Sequence, residues 1–218
     1  MTASKFSYIG GFNGTSNLLA GMLYHLPVKG THAHSYVMSH QSLSDLKTTT
    51  IRTPASSPGE SIRVEFLALV LEKKRLLGYE ERTHEGELAA LISYACAFPN
   101  GFLALVDTYD TIMSGVPNFL AIGWALSEIG YQPVGIRLDS GDLAYLSVET
   151  RKLFRRADQI IGKEIFASCT IVASNDLNEE VIIALERGSN EIDVYGPRTH
   201  PPPLSSFSHL SQPLVPIW

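Results

Sequence analysis

The stretch VGIRLDSGDL, residues 134–143, sets an arginine, two aspartates, a serine and a glycine at the end of what otherwise reads as a buried strand. Helical sequence follows at once. In LAYLSVETRKLFRRADQIIG, Leu143, Leu146, Leu153 and Phe154 can share one face, and Gly162 ends the run. The same order of short apolar strand, polar cluster and glycine-closed helix recurs on either side. FLALVDTYDT (102–111) leads to VPNFLAIGWALSEIG, where Pro117 suits the first helical turn and Gly130 the C-terminal cap. CTIVASNDLN (169–178) leads to EEVIIALERG, with Asn178 as N-cap, Glu179 and Glu180 in the first turn and Gly188 at the end. EIDVYG (191–196) opens a further unit.

Strands alternating with helices predict βαβ units and a parallel sheet, hence an α/β fold. Asp107, Asp139, Asn175 and the cluster from Gly30 to His34 all fall at C-terminal ends of expected strands, where α/β barrels keep their chemistry. An open doubly wound sheet binds ligands at the same edge, so that alternative stands. The length of 218 residues favours one domain, here 1–196, with a Ser/Thr/Pro-rich flexible loop inserted at 41–61 before helical sequence around 62–79. Residues 197–218 hold six of the twelve prolines and keep no strand or helix pattern, which predicts a disordered tail.

The composition narrows the partners. A net charge of -5 with scattered lysines and arginines offers no footprint for nucleic acid. No apolar run approaches a membrane span, and the N-terminal residues lack the basic and apolar regions of a signal peptide. Cys96 and Cys169 are far apart and each lies in an apolar run, so neither a disulfide framework nor a CxxC site is expected. A cytosolic, small-molecule protein fits these features. The phosphate loop GxxxxGK[ST], the dinucleotide fingerprint GxGxxG after a strand and the GxSxG elbow do not occur.

On a strand, Arg137 and Asp139 project to the same side. Together they could bind an anion and a sugar hydroxyl or a magnesium ion, with Ser140 and Gly141 offering backbone N–H groups to phosphate. The plainer alternative is that Arg137 and Asp139 pair with each other, Ser140 caps the helix, and Asp142 sits in its first turn. Asp107 and Asp110 could hold magnesium or ribose hydroxyls, or merely start a turn; Asn175 has the same two readings. In GTHAHSYVMSH (30–40), His32 and His34 on a strand would aim two nitrogens at one metal, the pattern of a metal-dependent barrel hydrolase. A single histidine acting as phosphoryl acceptor, or an ordinary polar strand end, are the other options.

In combination, SYIGGFNGTSNLLAG, PVKGTHAHSYV, LVDTYDT, SGVPNFLA, GYQPVGIRLDSGDL and VASNDLNEE resemble the nicotinate phosphoribosyltransferase family, in order and at compatible spacing, over about residues 4–195. The resemblance implies a partial, irregular α/β barrel of the type II phosphoribosyltransferase kind. It implies formation of nicotinate mononucleotide from nicotinate and phosphoribosyl pyrophosphate, coupled to ATP hydrolysis, in NAD salvage, with magnesium and a homodimer. By similarity His34 matches the histidine phosphorylated by ATP. Arg137 and Asp139 match residues lining the phosphoribosyl and base site, Asp107 lies near the ribose and its metal, and Ser140, Gly141 and Asn175 lie close to the same pocket. Magnesium ligands on this basis are Asp107 and Asp139. An uncharged Ser16, where nicotinamide-using relatives carry an acid, suits a carboxylate substrate. Relative to the family pattern the chain starts just before SYIGGF and departs after EIDVYG. The expectation is therefore a truncated catalytic core, inactive alone or acting as a non-catalytic fragment that binds a full-length subunit.

Overall fold

The structure is a computed structural model and describes residues 2–55 and 61–196. The expected disorder of 197–218 lies outside the described residues. In chain order the helices are α1 (Thr2–Ile9), α2 (Leu18–Tyr24), α3 (His34–Met38), α4 (Phe66–Leu76), α5 (Glu85–Ala97), α6 (Val116–Glu128), α7 (Leu143–Ile161) and α8 (Glu179–Arg187). The strands are β1 (Thr50–Arg52), β2 (Arg63–Glu65), β3 (Leu103–Leu105), β4 (Gly135–Leu138), β5 (Thr170–Ser174) and β6 (Val194–Gly196). One sheet has the strand order β3-β4-β5-β6; the other is the antiparallel pair β1-β2. β5 and β6 are parallel, with Val172 opposite Val194 and Ser174 opposite Gly196. The fold is thus mixed α/β with a parallel sheet.

Where length favours a single domain, the chain divides into two compact units, each built from discontinuous segments. Among the described residues, one comprises 2–31, 137–148 and 170–196; the other comprises 32–55, 61–136 and 149–169. The chain enters each unit more than once, a feature that composition along the sequence does not register.

The larger unit has an aromatic centre. Phe119 of α6 stacks on Phe102 at 5.4 Å between centroids and meets Phe154 and Phe166 at 5.7 and 5.9 Å, all four fully buried. Each such ring removes 150–250 Å² or so from water. α6 is buried on almost every side, which explains an apolar run too continuous to show one face. Its end is a Schellman motif: Gly130, at φ 96°, follows the last turn, its N–H bonds to Ser127 O, and Tyr131 N–H bonds to Leu126 O. Only a residue tolerant of that left-handed conformation fits there.

Part of the expected loop at 41–61 is ordered by its own polar side chains. Ser42 and Asp45 form a capping box around the turn Leu43–Asp45, and β1 pairs with β2, which occupies the start of the expected helix at 62–79. Residues 56–60 lie outside the described residues. Beyond α7, the buried Asp158 accepts backbone N–H bonds from Ile165, Phe166 and Ala167 at 2.7–3.2 Å. Replacing Asp158 with asparagine turns one acceptor oxygen into a donor facing N–H groups. It should cost about 2 kcal/mol, seen as a lower denaturant midpoint; an unchanged midpoint would remove Asp158 from the fold's supports.

The smaller unit packs Phe12, Ala173, Leu177, Ile182, Ile192 and Tyr195 into its own core, with Leu143 and Leu185 against it. α8 starts as expected: Asn178 Oδ1 accepts the Val181 N–H at 2.9 Å. Gly188 does stand at its C-terminal end, but at φ -90°, so no left-handed turn demands glycine there.

Candidate active site

All four residues of β4 are buried, as befits a strand covered on both faces. Its last residues aim Arg137 and then Asp139 the same way, and the two pair: Arg137 Nη2 lies 3.2 Å from Asp139 Oδ2. Both are under a tenth exposed. Arg137 Nη1 donates to Thr31 Oγ1 at 2.9 Å, and Ser174 Oγ, at the end of β5, lies 2.5 Å from Asp139 Oδ1. Arg137 Nε is buried with no hydrogen-bond partner among the described residues. So the plainer alternative, an internal ion pair, is realised, and it still leaves a donor unspent.

Ser140 and Gly141 follow in an exposed turn, with Gly141 at φ 77°. The helix cap there is Asp142 rather than Ser140: its Oδ1 accepts the Tyr145 N–H at 3.0 Å. Asn175, immediately after β5, holds the left-handed region at φ 78° and is half-buried. Ser16, half-buried in the GTSN turn, stands where a Cβ on Gly30 would meet its own Cβ at 3.4 Å.

The larger unit holds His34 and Asp107. His34 opens α3, with Ala33 as the extended N-cap. That overturns the HxH reading, because a helix start does not give residues 32 and 34 the common direction of a strand. His32 instead packs against the rings of Tyr94 and Tyr36 at 4.5 and 5.5 Å. Among the described residues no group of three His, Cys, Asp or Glu side chains is arranged to hold a metal. The half-exposed His34 has Nδ1 3.2 Å from Thr108 Oγ1 and Nε2 4.0 Å from Asp107 Oδ1. Asp107 lies two residues past β3 and is 8% exposed.

Next to Asp107 is a buried acid that sequence reasoning missed. Glu87 of α5 is fully buried; its Oε2 accepts from Ser114 Oγ at 2.5 Å and Asn118 Nδ2 at 3.1 Å, while Oε1 has no partner among the described residues. Burial pushes its carboxyl up to about 7, against the pull of those two hydrogen bonds and with a further push from the charges of Asp107 and Asp110. Ser114 belongs to the π-helical turn Thr111–Gly115, which comes close to the strand end because a Cβ at Gly115 would collide with Val106 O. In the sequence, an acid in a first helical turn looks like an ordinary solvated one.

No protein-family model matches the chain. Known proteins do. Nicotinate phosphoribosyltransferase 1 of Arabidopsis thaliana is 48% identical over 203 residues, covering 90% of this chain and 36% of the relative. The chain is homologous to one segment of the nicotinate phosphoribosyltransferases. The Caenorhabditis elegans and human enzymes of that name are 46% and 44% identical, over 92% and 90% of this chain and 36% and 37% of their own lengths. The crystal structure of human nicotinic acid phosphoribosyltransferase superposes with a TM-score of 0.77 at 41% identity, over 89% of this chain and 39% of that one. The chain therefore spans little more than a third of the relatives it matches. Thr31, Thr108 and Ser174 sit beside residues that the family resemblance picks out, and adjacency to those motifs was the available signal for them.

Proposed function

We propose that this chain carries the central catalytic segment of a cytosolic, dimeric nicotinate phosphoribosyltransferase with an irregular α/β barrel. The observation that supports this most is the buried Arg137–Asp139 pair at the end of β4, inside a stretch homologous to enzymes of that name. In the reaction the pyridine nitrogen of nicotinate forms a bond to the anomeric carbon of phosphoribosyl pyrophosphate as the bond to pyrophosphate breaks. Positive charge grows on the ribose and negative charge on the leaving group. The guanidinium of Arg137 stabilises the leaving anion, and Asp139 and Asp107 orient ribose hydroxyls. A ring nitrogen of His34 forms a bond to the terminal phosphorus of ATP as the bond to ADP breaks, and Asp107, 4.0 Å from Nε2, favours the positive charge this leaves on the ring.

Hard carboxylate oxygens are the right chemistry for magnesium, which is commonly held by one or two carboxylates plus substrate phosphates. Asp107 and Asp139 carry that chemistry, Asp139 with Ser174 on Oδ1 and Arg137 on Oδ2. Magnesium would supply charge neutralisation of the pyrophosphate. Ser16, Ser140, Gly141 and Asn175 complete the assignment as substrate contacts.

If this segment suffices for turnover, purified chain supplied with nicotinate, phosphoribosyl pyrophosphate, magnesium and ATP forms nicotinate mononucleotide. His34→Ala should abolish the stimulation by ATP while leaving a slower ATP-independent rate. Product that ignores ATP in both proteins would remove His34 from its role. A second reading has its own support: Phe6, Ile9, Leu18 and Met22 are 62–74% exposed, an apolar surface that suits a fragment docked on a full-length subunit. Absence of product together with co-elution with a full-length relative would favour that reading.

A further inference from the structure

Arg137 and Asp139 leave their strand on one side, and pairing with each other fixes neither. The contact of Nη2 with Oδ2 at 3.2 Å is not by itself a two-pronged clasp of the guanidinium plane. Two further groups complete the hold. Ser174 is fully buried, and its one hydroxyl proton has two acceptors in reach, Asp139 Oδ1 at 2.5 Å and Leu138 O at 3.2 Å. The nearer acceptor carries the charge, so the proton goes to Asp139. At the other end Arg137 Nη1 is held by Thr31 Oγ1 at 2.9 Å. The result is a line of bonds, Ser174 to Asp139 to Arg137 to Thr31, beside which Arg137 Nε–H is buried with no hydrogen-bond partner among the described residues.

We propose that Ser174 and Thr31 are positioning residues: Ser174 through Asp139, and Thr31 directly, lock the guanidinium plane of Arg137 in the direction it holds toward an anionic substrate. The catalytic consequence rests on the proposed function; the locking does not. The hydroxyls are neutral and touch no reacting atom, which separates their role from that of the pair they hold. A loosened guanidinium keeps its charge and loses its direction, so substrate binding suffers more than the chemical step.

The test uses the full chain labelled with ¹⁵N-arginine, with the Arg137 guanidinium signals identified by their loss in Arg137→Lys. Wild type should show separate, slowly exchanging Nη signals. Ser174→Ala should merge them, Ser174→Thr should keep them apart, and Thr31→Val, which acts from the opposite end, should merge them again. In turnover, Ser174→Ala should raise KM for phosphoribosyl pyrophosphate about tenfold with kcat changed less than about threefold. Merged signals in wild type, or separate ones in both Ser174→Ala and Thr31→Val, overturn the positioning role whether or not the chain turns over. A wild type with separate signals and no product overturns the proposed function and leaves the positioning role standing.

Discussion

Glutamine at position 87 should raise the unfolding midpoint at pH 8 by about 6–12 °C and leave it nearly unchanged at pH 4. Glu87 is buried with one oxygen unpartnered, and its carboxyl is pushed up to about 7 by burial first and the charges of Asp107 and Asp110 after it. An acid with a raised pKa in the folded chain binds its proton more tightly there than in the unfolded chain. Its stabilising contribution is therefore full below the ordinary value of 4.5, falls as pH rises to about 7, and stays lost above that. A shift of that size corresponds to on the order of 3 kcal/mol. Glutamine keeps an oxygen for Ser114 and Asn118 and cannot ionise, so the fall disappears. The groups facing Glu87 are Asp107 and Asp110 from the segment after β3, Ser114 and Asn118 from the following turn and helix, and His84, whose ring accepts the Glu87 N–H at 3.2 Å. Matching stability profiles for the two proteins between pH 4 and 8 would refute the account.

Arg137→Met should be the most damaging single change, costing about 3–5 kcal/mol, because it takes the cationic partner from the buried Asp139 carboxylate. The double variant Arg137→Met/Asp139→Leu should recover most of that loss, since removing both charges removes the desolvation cost as well as the attraction. Neither protein should form nicotinate mononucleotide. Chemical denaturation of the two single variants and the double gives the coupling energy directly. A single variant that loses under about 1 kcal/mol would mean the pair behaves as a solvated surface contact.

Much of the secondary structure was legible. The strands at 103–105, 135–138 and 170–174 fall within their expected runs, and the Asn178 cap and the Gly130 turn are where local chemistry put them. These are short-range properties: an apolar run bounded by turn residues, a side chain reaching its own helix start. The errors came where packing decides. The alternation of GTHAHSYV suits a strand, yet His34 begins a helix. The Ser- and Thr-rich segment 41–61 predicts a loop, yet part of it pairs as β1. Glu87 had no signal at all.

The α/β alternation, the family resemblance and the residues at the strand ends are legible in sequence, because each is written in runs of fewer than about fifteen neighbouring residues. Only the tertiary structure decided that Asp139 answers to Ser174, thirty-five positions away, that Arg137 is held by Thr31, and that Glu87 is buried with one oxygen unpartnered. Burial and long-range hydrogen bonds depend on which surfaces meet, and a charged side chain changes its chemistry when water is taken from it.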